Sequence, residues 1–219
     1  NNKENIKKII IRKPLKLDCG EIISDYPLAY ETYGELNEKR DNAILVFHAL
    51  TGDQFASGIN PITKKPGWWS HTVGPSKAIN TNKFFVICAN VIGGCMGSFG
   101  PRNINPKTNK EFGIDFPVIT INDMVNAQYN LLELFKIDKL FCVTGGSMGG
   151  MQVLQFVANF PDKVKTAIPI ACAASHSAQN IAFNELGRQS IMADVNWKNG
   201  TYSNLNTSPD KGLAVARMA

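Results

Sequence analysis

The sequence predicts an α/β fold, with a mostly parallel sheet flanked by helices and followed by a segment that is helical alone. Three observations predict it. Four runs, Ala43–Phe47, Phe84–Ala89, Leu140–Thr144 and Val164–Ile170, are almost continuously apolar, the pattern of strands buried on both faces of a helix-covered parallel sheet. From residue 84 to 170 strand, helix, strand, helix and strand alternate, which is the rhythm of this class. Beyond Ile170 two further helical stretches occur with no strand between them.

In chain order, residues 1–14 read as a basic arm. The first sixteen residues hold Lys3, Lys7, Lys8, Arg12, Lys13 and Lys16 against Glu4, and they account for the whole net charge of +5, because the remaining residues balance at 17 against 17. Leu15–Asp18, Ile22–Ser24 and the alternating Leu28–Tyr33 read as an antiparallel edge. After the strand at Phe84–Ala89, Val91–Gly113 is a long loop rich in Gly, Pro and Asn, and loops of that length are more often functional than idle. Thr120–Phe135 is a helix with Thr120 as N-cap and Asp123 in the first turn, where an acid favours the dipole. Met148–Phe160 is a second helix, stopped by Pro161.

The helical stretches Ala173–Met192 and Pro209–Ala219 look like the beginning of a cap inserted on the sheet domain, so the division expected is a core of residues 1–172 and a cap of 173–219. Ser208, Pro209 and Asp210 make a strong helix start. That helix reaches Ala219 without a C-cap, so the sequence reads as a piece of a longer protein with its last strands absent.

Composition excludes several classes. With 44% apolar and 19% charged residues over 219 positions, disordered, coiled-coil and collagen-like chains are ruled out. No run approaches the ~18 apolar residues of a membrane span, and Ile9–Ile11 falls well short of the roughly 7–15 apolar residues of a signal peptide; a cytoplasmic protein is expected. Nucleic-acid binding is not, since the excess charge is confined to the arm. The five cysteines (Cys19, Cys88, Cys95, Cys142, Cys172) form no CxxC or Cys/His pattern and suit a reducing compartment. Cys88 and Cys142 sit in apolar runs as small core residues. His48, His71 and His176 are too far apart for a helical zinc pair, and no metal is expected.

One motif carries chemistry. Leu140–Thr144 runs into Gly145-Gly146-Ser147-Met148-Gly149 and then a helix, a Gly-x-Ser-x-Gly turn between strand and helix as a nucleophile elbow requires. Glycines remove the side chains that so tight a turn would make clash. The helix N-terminus favours a negative oxygen, and the Met148 amide is the first donor expected to an oxyanion. A phosphate-cradling reading of the glycines lacks the Lys-Ser/Thr of a Walker motif. A second oxyanion donor is expected from the loop after Ala43–Phe47, His48-Ala49-Leu50-Thr51-Gly52-Asp53. His48 itself precedes the serine, whereas the base of such folds follows it, so it reads as a structural histidine.

Eight stretches together resemble the homoserine O-acyltransferases of the α/β-hydrolase superfamily: AYETYGELN, HALTGD, GWW, FFVICANVIGGCMGSFGP, DFPVITINDMV, GGSMGGMQ, AIPIACAASHSAQNIAFNELGRQSIMAD and GLAVARM. The resemblance runs from about Leu28 to the last residue. It implies an α/β-hydrolase fold with Ser147 as nucleophile, the amides of Leu50 and Met148 as oxyanion hole, and Arg217 gripping the carboxylate of the amino-acid substrate. Without it Arg217 reads as a surface helix residue, and Arg188 as structural within the cap. The implied reaction moves an acetyl or succinyl group from acyl-CoA to L-homoserine in methionine biosynthesis, with no bound cofactor and with a cap that excludes water. It also implies a homodimer paired through the cap helices.

Departures from the family pattern are Gln54, Phe55 and Phe99, at positions expected near the acyl pocket. The family's catalytic Asp and His fall beyond Ala219, so the 219-residue chain alone is expected to be inactive. Asp162 and His176 are poor substitutes. Asp162 follows a helix of about thirteen residues that descends roughly 20 Å from the serine, and His176 lies in a stretch that is not the family's base position.

Overall fold

The computed structural model describes residues 6–219, which divide into two compact units: residues 6–100 with Pro117–Ala173, and Pro101–Phe116 with Ala174–Ala219. Of the expected basic arm, Lys3 and Glu4 lie outside the described residues.

The first unit is built on a six-stranded sheet of β1 (Lys8–Ile11), β2 (Tyr26–Tyr33), β3 (Ala43–Phe47), β4 (Phe85–Ala89), β5 (Leu140–Gly146) and β6 (Val164–Ile170) in the order β1-β2-β4-β3-β5-β6. The pairs β1/β2 and β2/β4 are antiparallel, while β4/β3, β3/β5 and β5/β6 are parallel. Two expectations for the N-terminal region are corrected here. Lys8–Ile11 forms the outer strand, because Ile6 and Ile11 bury their side chains while Lys7, Lys8 and Ile10 face outward. The segments Leu15–Lys16 and Ile22–Ile23 pair with each other instead of joining the sheet edge, since the chain doubles back at Gly20, whose φ of 94° suits glycine alone.

β3 and β4 are buried at every position, and each fully buried Leu, Ile or Phe contributes roughly 1.5–3 kcal/mol. Period two sends the side chains to opposite faces. On one face helix α2 (Met148–Asn159) packs against β3, β5 and β6, with Phe156 against Phe47 at 6.0 Å between ring centroids, and helix α1 (Ile121–Leu134) packs on α2. On the other, Ile44, Val46, Val86, Cys88 and Cys142 meet Ala56, Trp69, Val73 and Ile79. That face is covered by loop chain and the short paired segments Val73–Gly74 and Ile79–Asn80 rather than the expected helix.

β6 also departs from expectation: only Val164 is buried. It pairs with β5 along one edge and has no second neighbour among the described residues, leaving Ile168 53% and Ile170 39% exposed. The elbow serine and the oxyanion-loop candidate both emerge at the C-terminal ends of parallel strands, β5 and β3, whose register pairs Gly145 with Phe47.

The second unit holds α3 (Ala178–Met192) and α4 (Asp210–Met218), which pack together. Their contact is close because Gly212 carries no side chain; a Cβ there would lie 2.8 Å from the Cα of Ile191. The Gly212 N–H donates to Asp194 Oδ2 at 2.9 Å. Ser177 caps α3 by accepting from the Asn180 N–H. For α4 the expected Ser208 cap is replaced: Pro209 is the N-cap, and the Ser208 hydroxyl donates to Asp210 Oδ1 instead. Residues Pro101–Phe116, which the sequence assigns to the core, belong here, with Ile114 abutting Gly200.

Candidate active site

Ser147 is the residue between β5 and α2, with φ 57° and ψ −122°. A β-carbon in that region is strained, and such strain concentrates at functional sites. The turn is held from both sides: the Ser147 N–H donates to Ile170 O at 3.0 Å, and the Ser147 carbonyl accepts from Met151 N at 3.1 Å. Its side chain is exposed while its neighbours Gly145 and Gly149 are buried. The structure gives those two glycines one shared reason. A Cβ on Gly145 would sit 2.6 Å from the Phe47 carbonyl oxygen, and one on Gly149 would run into the same oxygen. The clash is therefore with the neighbouring strand. Met148 opens α2, so its N–H has no intrahelical carbonyl to meet.

The loop after β3 lies against this turn. His48 is 1% exposed, and its Nε2 accepts the backbone N–H of Val91 at 3.1 Å and the Asn90 amide at 3.2 Å. An imidazole nitrogen that accepts cannot carry the proton, so Nδ1 does, and it donates to Ala49 O at 2.8 Å. Burial pushes the His48 pKa down, opposed by the bond to Ala49 and by Asp53. The expected structural role thus agrees with its bonds. From the helix side, Gln152 Nε2 reaches the His48 carbonyl at 3.3 Å, and Gln152 Oε1 accepts from Gln128 Nε2 at 2.8 Å. Asn90 extends the bracing: its Oδ1 accepts from Met96 N, and its carbonyl accepts from the Ser98 hydroxyl at 2.6 Å. Leu50, two residues past His48, has an exposed side chain.

Sequence reasoning missed Gln152 and Asn90, although a buried glutamine five residues after the elbow serine was a usable signal, being polar on an apolar helix face. Gln54, Phe55 and Phe99 are all buried. Phe55 packs with Ile6 and Ala29, and Gln54 donates to Met96 O at 2.9 Å. Burial pushes the thiols of Cys88 and Cys142 up, consistent with inert core residues. Asp162 lies in the turn after α2, at the far end of a twelve-residue helix from Ser147, about 18 Å away at 1.5 Å per residue. His71 and His176 are exposed. Arg217 is exposed in the last turn of α4, and Arg188 pairs with Glu185 at 2.7 Å on α3. Ser147, Met148 and Leu50 belong to the first unit, and Arg217 to the second. No helix of the described residues is long and apolar enough to cross a membrane.

The arrangement presents an exposed hydroxyl on a strained turn at a helix N-terminus, beside a loop braced on three sides. It suits attack on a carbonyl followed by stabilisation of the oxyanion. Comparison with known proteins agrees. A homoserine O-acetyltransferase of Pelagibacter ubique (strain HTCC1062) is 78% identical over 215 residues, covering 98% of this chain and 58% of the relative. One from Mesorhizobium japonicum is 60% identical over 207 residues, covering 94% and 53%. Among solved structures, homoserine O-acetyltransferase from Bacillus anthracis superposes with a TM-score of 0.87 at 32% identity, covering 96% of this chain and 57% of that one. Esterase E22 superposes with a TM-score of 0.87 at 35% identity, covering 97% and 60%. The chain therefore spans little more than half the length of the curated relatives it matches. The alpha/beta hydrolase fold family matches residues 42–214, and with the elbow and the parallel strands that present it, the chain belongs to that family.

Proposed function

We propose that the full-length protein transfers an acetyl group from acetyl-CoA to the hydroxyl of L-homoserine through an acyl-enzyme on Ser147. The observation that carries this reading is the 78% identity to the Pelagibacter homoserine O-acetyltransferase across 98% of the chain. Acetyl is favoured over succinyl because the relatives are named acetyltransferases.

In this mechanism Ser147 Oγ bonds to the thioester carbonyl carbon while its proton passes to a histidine base. The resemblance places that histidine and its Asp beyond Ala219, in the length of the relatives that this chain does not span. The Met148 and Leu50 amides hold the carbonyl oxygen as it becomes negative. Collapse breaks the carbon–sulfur bond, and CoA leaves as the thiol with the proton from the base. The homoserine hydroxyl then attacks the serine ester by the same steps in reverse order. Arg217 offers a fork of donors that suits the homoserine carboxylate. No bound cofactor enters this route, and its setting is cytoplasmic methionine biosynthesis.

A second reading, hydrolysis with water as acceptor, draws on the likeness to esterase E22. The two differ in the acceptor. Release of CoA, followed with a thiol reagent on the full-length protein, is expected to require homoserine and to fall by at least about 10⁴-fold in Ser147→Ala. Release of CoA and acetate at one rate with and without homoserine would establish the esterase instead.

A further inference from the structure

We infer that His48 is a positioning residue for the oxyanion hole: by holding the Ala49 carbonyl, it turns the Leu50 N–H toward the elbow. The inference rests on the acyl-enzyme reading of Ser147 given above. The peptide joining Ala49 to Leu50 is planar and trans, so its C=O and N–H point in opposite directions. Fixing one fixes the other. Ala49 O is held twice, by His48 Nδ1 at 2.8 Å and by the Gly52 N–H at 2.9 Å, and the Leu50 N–H is thereby directed away from the imidazole.

The imidazole in turn has one permitted orientation. Val91 and Asn90 both donate to Nε2, so rotation or a change of tautomer would set donor against donor. The remaining anchor is the His48 carbonyl, which Gln152 reaches from α2, and Gln152 stands on the helix that begins at Met148. Both oxyanion donors are thus referred to one rigid set of bonds. A carbonyl presented in place of the Leu50 N–H would repel the developing negative charge, so a loop free to turn would lose rate without losing the fold.

Two variants of the full-length protein separate this role from general support. His48→Asn keeps an amide N–H near the Nδ1 position and removes the acceptor for Val91. His48→Gln keeps an acceptor within reach of Val91 and removes the donor to Ala49. Each loses one side of the imidazole, and similar losses of thermal stability are expected. The readout is the rate constant for phosphonylation of Ser147 by a fluorophosphonate, whose phosphoryl oxygen occupies the oxyanion site whatever the natural acceptor. His48→Asn is expected to react within about threefold of the parent and His48→Gln about 10²–10³-fold more slowly. Equal rates in the two variants, or rates that follow stability alone, would overturn the inference. A parent protein unlabelled at Ser147 would instead overturn the acyl-enzyme reading and the inference with it. If either variant fails to fold, Gln152→Leu gives the same test from the helix side: a slowed reaction in a folded protein supports the bracing, and an unchanged rate contradicts it.

Discussion

At the scale of single residues the account turns on two backbone carbonyls, Phe47 O and Ala49 O. The first makes glycine obligatory at 149, where a Cβ would enter its van der Waals envelope. Gly149→Ala is expected to cost about 1–3 kcal/mol in urea unfolding, the usual range for an overpacked core position, and to lower the rate of Ser147 modification as the turn shifts. The second is held by a neutral His48, whose burial lowers its pKa below the usual histidine value of about 6.5. The unfolded chain then binds the proton more readily than the folded one. Stability from this group is full above about pH 6.5 and is lost as pH falls through the depressed folded value. Exposed Asp138 and half-buried Asp194, whose carboxyls are held below the ordinary range by Lys163 and by backbone N–H groups respectively, titrate further to the acid side. Thermal melts between pH 7 and 5 should show a decline that is shallower in His48→Asn.

At the scale of elements, α1 begins as its sequence says it should. Thr120 and Asp123 form a capping box, with Thr120 N donating to Asp123 Oδ2 at 2.9 Å, and Asp123 also accepts from the Asp18 N–H at 2.9 Å. Asp123→Ala should therefore cost about 1–3 kcal/mol in chemical unfolding, more than an isolated cap. That cap, the parallel strands and the elbow were legible because each is written within a dozen consecutive residues. The bracing of the oxyanion loop was not. It joins His48, Asn90, Ser98 and Gln152, which no local pattern links, and only the register of β3 with β4 and β5 brings them together. The cover on the second sheet face was hidden for a related reason. Ala56, Trp69, Val73 and Ile79 follow no helical period, and the paired segments Val73–Gly74 and Ile79–Asn80 are two residues each, so apolar spacing gave no warning that loop chain would fill the place of a helix. β6 read as buried because its composition is apolar, but burial needs a neighbour on each side.

At the scale of the whole molecule, α3 and α4 carry Ile181, Phe183, Leu186, Leu213 and Val215 at 43–59% exposure, a density of apolar surface that marks interaction faces. Pairing of two full-length chains through these helices is expected, as the family resemblance implies. Light scattering that gives a concentration-independent monomer for the full-length protein would contradict it. The 219-residue chain alone, with one edge of β6 unpaired among the described residues, should instead associate with rising concentration, and Ile168→Lys should reduce that association. The central claim, transfer through a serine ester, is tested most directly by intact mass spectrometry of the full-length protein mixed with acetyl-CoA in the absence of homoserine. The account predicts one acetyl group, mapped to the peptide containing Ser147, that persists in water and is discharged when homoserine is added. An unmodified Ser147 under conditions where homoserine is acetylated, or an acetyl-enzyme that water discharges as fast as homoserine does, would contradict it.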